Sequence, residues 1–371
     1  MAPPIDVMLE LPNLIQTGLE SGAYERLGGV IRDRASKQVV TWLREVQPDI
    51  ANPLSQLPTL SPLTNLTSAI NLGVGAIGFG VILNRLQSLE QRLKGIEALL
   101  EKIDRKIDLS FYANFRTALT LAENAAHIEN LDERKFQARE SMNRFVEAQH
   151  TYLGLTDQEL DDGNPIAHEY WLMLVLAYVA EARCHLMLDS PKLAQRRFQT
   201  GTVEVRDRVQ RCIQLLLTSN PAVYLEPTYK GQVDLTRLTR IYQWLGEPDL
   251  TENEVFERLR EPLIEFDRKP NRWFKALPEA IKVQCKVKKD FLGNSKHKDY
   301  RAAVRDYLPQ AMDKIDTAIE TFDRFAAYQT EITAIEQWQL SFQDWLQLAP
   351  ETAADAGTVY YLVPKTPLVA Q

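Results

Sequence analysis

The sequence predicts an all-α protein: an elongated bundle of long helices with a coiled-coil hairpin and a short C-terminal extended segment. Three observations predict it. Apolar residues recur at spacings of three and four along most of the chain, period-two alternation is nearly absent before the last fifteen residues, and no proline occurs from residue 63 to 164.

Taken in order, residues 1–50 read as N-terminal helices, one around Val7 to Leu19 and a second around Tyr24 to Val46. The second places Arg32, Arg34, Lys37 and Arg44 on the face opposite its apolar stripe. Residues 51–65 contain Pro53, Pro58 and Pro62, each lacking a backbone donor and turning its predecessor away from helix, so they read as a linker.

Residues 66–130 form the hydrophobic segment and coiled-coil helix. No charged residue occurs between Asp49 and Arg85, an anomaly in a chain that is 25% charged. Within that gap lies NLGVGAIGFGVILN, residues 71–84. Its Gly73, Gly75 and Gly78 match GxGxxG in spacing, but a dinucleotide-binding loop follows a strand and opens a helix that packs back on a sheet. Here a proline-rich linker precedes it and heptads follow, so no cofactor is expected.

Read as a helix, the same stretch sets Gly73, Gly75, Gly78 and Gly80 beside Leu72, Ile77, Phe79 and Ile82. Small residues allow close helix approach, and in membranes such surfaces associate. Leu66 to Leu83 would span about 27 Å, the lower edge of what crosses a bilayer. Each glycine costs up to about 1 kcal/mol against alanine in a helix interior, so a compensating requirement is expected: bilayer insertion, a close-packed core, or an oligomer seam.

After it, Leu86, Leu89, Leu93, Ile96, Leu100, Ile103 and Ile107 alternate spacings of three and four, a coiled-coil seam. A single helix from near Thr67 to near Ala126 would measure roughly 90 Å.

Residues 131–348 read as a helical bundle, with helices at 132–153, 165–188, 191–218, 232–245, 251–260 and 275–292 and a last one from about Asp299 to Leu348 with a phase slip near Tyr328. The run WLMLVLAYVA, Trp171 to Ala180, is bounded by Glu169 and Glu181. It is too short to span a membrane and reads as a fully buried helix. The acidic stretch DQELDDGNP reads as a solvated turn and helix cap. Residues 349–371 form a tail in which VYYLV favours a strand: an edge strand, a clamp on the bundle, or a partner-binding segment.

Composition narrows function. With 371 residues and 45% hydrophobic side chains the chain can bury a sizeable core, and a net charge of −7 argues against a nucleic-acid partner. Cys184, Cys212 and Cys285 are scattered without a CxxC pair, and Asp6 and Glu10 interrupt any signal-like N-terminus. The expected location is the cytoplasm, with conditional membrane association.

No nucleophile elbow, phosphate loop or EF-hand spacing occurs, and His168-Glu169 lacks the second histidine of HExxH because Leu172 stands there. No catalytic or metal site is expected. Lys282, Lys286, Lys288, Lys289, Lys296 and Lys298 form a basic stretch interleaved with aromatic residues, either a solvated face or a contact for anionic lipid.

This order of features, long helices with one uncharged segment joined to heptads, resembles the α-helical pore-forming toxins. The resemblance implies a soluble helical form that hides a hydrophobic element, extends it into a bilayer on activation, and assembles in rings. Many of those toxins carry two apolar segments or a β-tongue, whereas this chain offers one. The expected function is therefore a non-enzymatic, membrane-active effector of the bacterial type, stored soluble. The alternative is a soluble helical scaffold whose seam binds itself or a helical partner.

Overall fold

The computed structural model describes residues 13–27, 30–45, 82–83, 86–87, 89–94, 110–164, 166–217, 220–225, 233–268, 277, 297–347 and 359–362. Helix dominates: α1 (Asn13–Glu20), α2 (Ser110–Ala126), α3 (Leu131–Asp161), α4 (Ala167–Met187), α5 (Pro191–Leu217), α6 (Leu235–Leu245), α7 (Glu252–Arg268), α8 (His297–Gln337) and α9 (Phe342–Gln347). The strands β1 (Tyr24–Leu27), β2 (Val30–Asp33), β3 (Val39–Glu45) and β4 (Val359–Leu362) form one antiparallel sheet in the order β1-β2-β3-β4.

The sheet corrects the helix expected over Tyr24 to Val46. Leu27 pairs with Val30 across Gly28-Gly29, the two-residue spacing of a tight hairpin. Asp33 Oδ1 then accepts from the backbone N–H of Ala35 and Ser36, and Lys37 adopts a left-handed φ of 58°, which turns the chain into β3. Glu25 gathers Arg32 at 2.5 Å and Lys37 at 2.9 Å, so basic residues expected along a helix face instead neutralise one carboxylate across a hairpin. Val30, Ile31, Val39 and Thr41 are buried. Of the roles open to the tail, β4 takes that of an edge strand, pairing Val359–Leu362 with Glu45–Trp42 of β3.

The chain divides into two compact units. The first comprises Met1–Leu153, Leu172–Val205 and Thr321–Gln371; the second comprises Gly154–Trp171 and Arg206–Glu320. Helices α3, α4, α5 and α8 contribute residues to both.

Every residue from Ile166 to Ala182 is buried, so WLMLVLAYVA forms the expected fully buried helix. The burial runs past Glu169 and Glu181, which are 6% and 3% exposed rather than marking a solvated boundary. In the first unit Phe198 of α5 stacks at 4.7 Å on Phe325 of α8, with Tyr328 at 6.0 Å from Phe198 and Tyr178 at 6.2 Å from Phe325. Gly201 makes this approach possible: a Cβ there would lie 2.8 Å from the Tyr178 ring. Gly201→Ala is expected to destabilise the protein by about 1–3 kcal/mol through overpacking, measured by thermal melting.

Two helix ends depart from the sequence reading. Helix α3 runs through the acidic stretch to Asp161 and stops where Gly163, at φ 65°, lets the Asn164 N–H reach the Glu159 carbonyl at 2.8 Å. Asp157 and Asp161 are thus on a helix, with the Asp161 side chain still 75% exposed as expected of a solvated acid, and Asp162 and Gly163 form the turn. Within the second unit Arg208 lies 2.6 Å from Asp157, and Arg211 lies 2.8 Å from Asp157 and 2.6 Å from Asp161.

The long C-terminal helix breaks at residues 338–341. Gln339, at φ 52°, lets the Leu340 N–H reach the Ile335 carbonyl, and Ser341 caps α9 by accepting from the Asp344 N–H at 3.0 Å. The phase slip near Tyr328 has a simple cause. Between Ala327 and Ile335 all residues but Gln329 are buried, polar Thr330, Glu331 and Thr333 included, so α8 there is covered nearly all round instead of along one apolar stripe.

Helix α7 continues through Pro262 to Arg268, eight residues beyond its expected end at 260. Val255 and Leu259 are buried on it, and it packs beside α6 and the 3-10 turn Pro221–Leu225; tertiary packing outweighs the lost backbone bond. The helix expected at 275–292 and the linker at 51–65 lie outside the described residues, apart from buried Leu277.

Candidate functional site

Residues 82–83, 86–87 and 89–94 are helical, and Ile82, Leu86, Leu89 and Leu93 are all 0% exposed. Their spacing of four, three and four places them on one helix face, so Ile82 of the glycine-rich segment and the three described seam residues are covered within a single chain. Beside it Glu90 lies 2.8 Å from Lys94 and pairs with Arg116 of α2. The Lys94 hydrogen bond, with Arg116 behind it, holds the Glu90 carboxyl below its ordinary range despite partial burial.

The Glu90–Arg116 pair also corrects the single long helix. Residues 26 apart would lie about 39 Å apart along a straight helix, whereas these two are in contact. Ile96, Leu100, Ile103 and Ile107 lie outside the described residues, as do Leu72, Gly73, Gly75, Ile77, Gly78, Phe79 and Gly80 of the glycine-rich stretch. Lys282, Lys286, Lys288, Lys289 and Lys296 lie outside them too; Lys298 falls in the first turn of α8. Among the described residues no helix is long and apolar enough to cross a membrane.

The densest polar chemistry in the first unit was not singled out by sequence. Glu181 of α4 accepts from Arg197 Nε of α5 at 2.8 Å on one oxygen and from Gln149 Nε2 of α3 at 2.7 Å on the other. Arg197 Nη2 donates to Gln149 Oε1 at 2.7 Å, closing a three-membered ring across three helices. His185 Nε2, one turn along α4, stands 3.6 Å from Glu181. The Arg197 guanidinium lies over the Tyr178 ring at 5.9 Å, and the Tyr178 hydroxyl donates to Glu204.

Burial pushes the Glu181 carboxyl up, but hydrogen bonds from His185, Gln149 and Arg197 outweigh it and hold the group below its ordinary range. The Tyr178 phenol moves up, through burial and then the hydrogen bond to Glu204. Both described thiols are buried, and burial pushes Cys212 up to about 12 and Cys184 up as well, which disfavours the reactive thiolate.

His168 meets Trp171 edge-on at 5.1 Å, and among the described residues no group of three or more His, Cys, Asp or Glu side chains is placed to hold a metal. The one sequence signal for the ring was Glu181 and His185, spaced one helical turn apart at the end of an apolar run.

Compared with protein families, with curated proteins and with solved structures, the chain matches none.

Proposed function

We propose that this chain is a membrane-active helical protein whose apolar segment, Leu66 to Leu83, is held back in a closed form until a trigger releases it. The observation that supports this reading is the burial of Ile82, Leu86, Leu89 and Leu93 within one chain, directly continuous with the uncharged segment. A seam covered internally and fastened by Glu90 and Arg116 is what a stored form requires: apolar surface kept from water, with ion pairs whose rupture frees it. Partners on this reading are anionic lipid and, after release, further copies of the chain through the glycine face.

A second reading, a soluble helical scaffold, draws on Phe136 of α3 and Val203 of α5, which are 70% and 72% exposed and would suit a helical protein partner.

Dye release from anionic liposomes separates the two. On the first reading activated protein causes leakage, and Ile77→Asp abolishes it while sparing the soluble fold. On the second, Ile77→Asp breaks assembly and no preparation acts on liposomes. Absence of both leakage and co-sedimentation in every state would end the first reading.

A further inference from the structure

We propose that the Gln149–Glu181–Arg197 ring is an acid-operated latch on the first unit, fastening α4 to α3 and α5 while Glu181 is ionised and loosening that tie when it takes a proton. The latch concerns the folded chain itself and stands whether or not the protein acts on membranes.

The argument is geometric. Each Glu181 oxygen already receives an N–H: Oε1 from Arg197 Nε at 2.8 Å, Oε2 from Gln149 Nε2 at 2.7 Å. A proton on either oxygen therefore meets a donor within the ring rather than an acceptor, and the ring's other acceptor, Gln149 Oε1, is engaged by Arg197 Nη2 at 2.7 Å. Protonation costs the ring a charge-assisted bond and leaves the Arg197 guanidinium without its counter-charge. Each of the three members donates to or accepts from the other two, so a protonated Glu181 weakens the tie of α4 to both α3 and α5, while Arg197 Nη2 to Gln149 Oε1 still joins α5 to α3.

The surrounding charges do not substitute. From α5, Glu204 is taken up by Tyr178. On α4 itself, His185 Nε2 stands 3.6 Å from Glu181; Arg183 lies over Phe342, and Cys184 is buried. From α8, Glu331 accepts from Trp345 Nε1 at 2.7 Å. The proton has a route in, because the His185 and Arg197 side chains remain 14% and 34% exposed while Glu181 is 3% exposed.

The sign follows from the direction of the Glu181 shift. A carboxyl held below its ordinary range in the folded state contributes stability that is complete above the unfolded value, about 4.3, and is lost as pH falls through the folded value. The latch thus stays shut through neutral and mildly acidic pH and opens in stronger acid.

The test is equilibrium urea unfolding of the full chain and its Glu181→Gln variant from pH 8 to pH 3 at fixed salt. The expected result is a stability gap between them that is constant from pH 8 to about 5 and closes below about 4.3. Gln149→Met, which removes one donor to Glu181 and keeps Arg197, should move the acid transition upward by roughly half a pH unit. A gap that is absent at pH 7, or equally large at pH 7 and pH 3, overturns the proposal. Should Glu181→Gln fail to fold, an unshifted acid transition in both Gln149→Met and Arg197→Lys overturns it as well.

Discussion

Phe198→Ala is expected to lower stability by about 3–5 kcal/mol. Phe198 is fully buried and its ring is the hub of an aromatic cluster, 4.7 Å from Phe325 and 6.0 Å from Tyr328. Truncation removes a ring's worth of apolar transfer and leaves a cavity that Gly201, one turn away, has no side chain to refill. The edge and stacking geometry adds about 0.5–1.5 kcal/mol beyond the buried area. Equilibrium urea unfolding measures it, with Val203→Ser as the comparison: Val203 lies on the same helix but is 72% exposed, and its change should stay within about 0.5 kcal/mol. Equal losses from the two would mean that the cluster does not carry the packing of α5 on α8.

Leu89→Asp is expected to disrupt the seam outright, at a cost above about 4 kcal/mol, because an unpaired carboxylate would replace a fully buried apolar side chain. Leu89→Ala, which leaves a cavity but no charge, should cost about 2–5 kcal/mol. The two variants therefore separate packing from charge burial. Amide hydrogen exchange in α2 reports the outcome, since Arg116 of α2 clasps Glu90 one residue beyond Leu89. Faster exchange across Ser110–Ala126 in Leu89→Asp is expected, together with binding of an apolar dye to the freed surface. Unchanged exchange and no dye binding would show that the seam is dispensable to the closed form, and would remove the observation on which the proposed function rests.

Legibility differed by element for identifiable reasons. The buried helix over Trp171 to Ala180 was readable because ten apolar residues in succession leave no face for water. Of the seam, Leu86, Leu89 and Leu93 are helical and buried, and the other four residues lie outside the described ones. The strands over Tyr24–Glu45 were not, although Gly28-Gly29 and the β-branched Val30, Ile31, Val39, Val40 and Thr41 carried the hairpin signal. Over so short a stretch apolar residues satisfy helical and strand periods alike, and only the Gly-Gly pair separates them. The acidic run 157–162 looked solvated because the arginines that pair with it, Arg208 and Arg211, lie about fifty residues away on another helix.

By itself the sequence determined the helical class, the buried character of α4 and the strand character of the tail. Each follows from local spacing and side-chain chemistry, which do not depend on what lies across the interface. Tertiary structure alone decided that Glu90 meets Arg116, that β4 closes on β3, and that Gln149, Glu181 and Arg197 meet. Those are pairings across 16 to 48 residues or more, set by which helices pack together. A charged side chain announces in sequence only that it needs a partner, and the fold supplies which one.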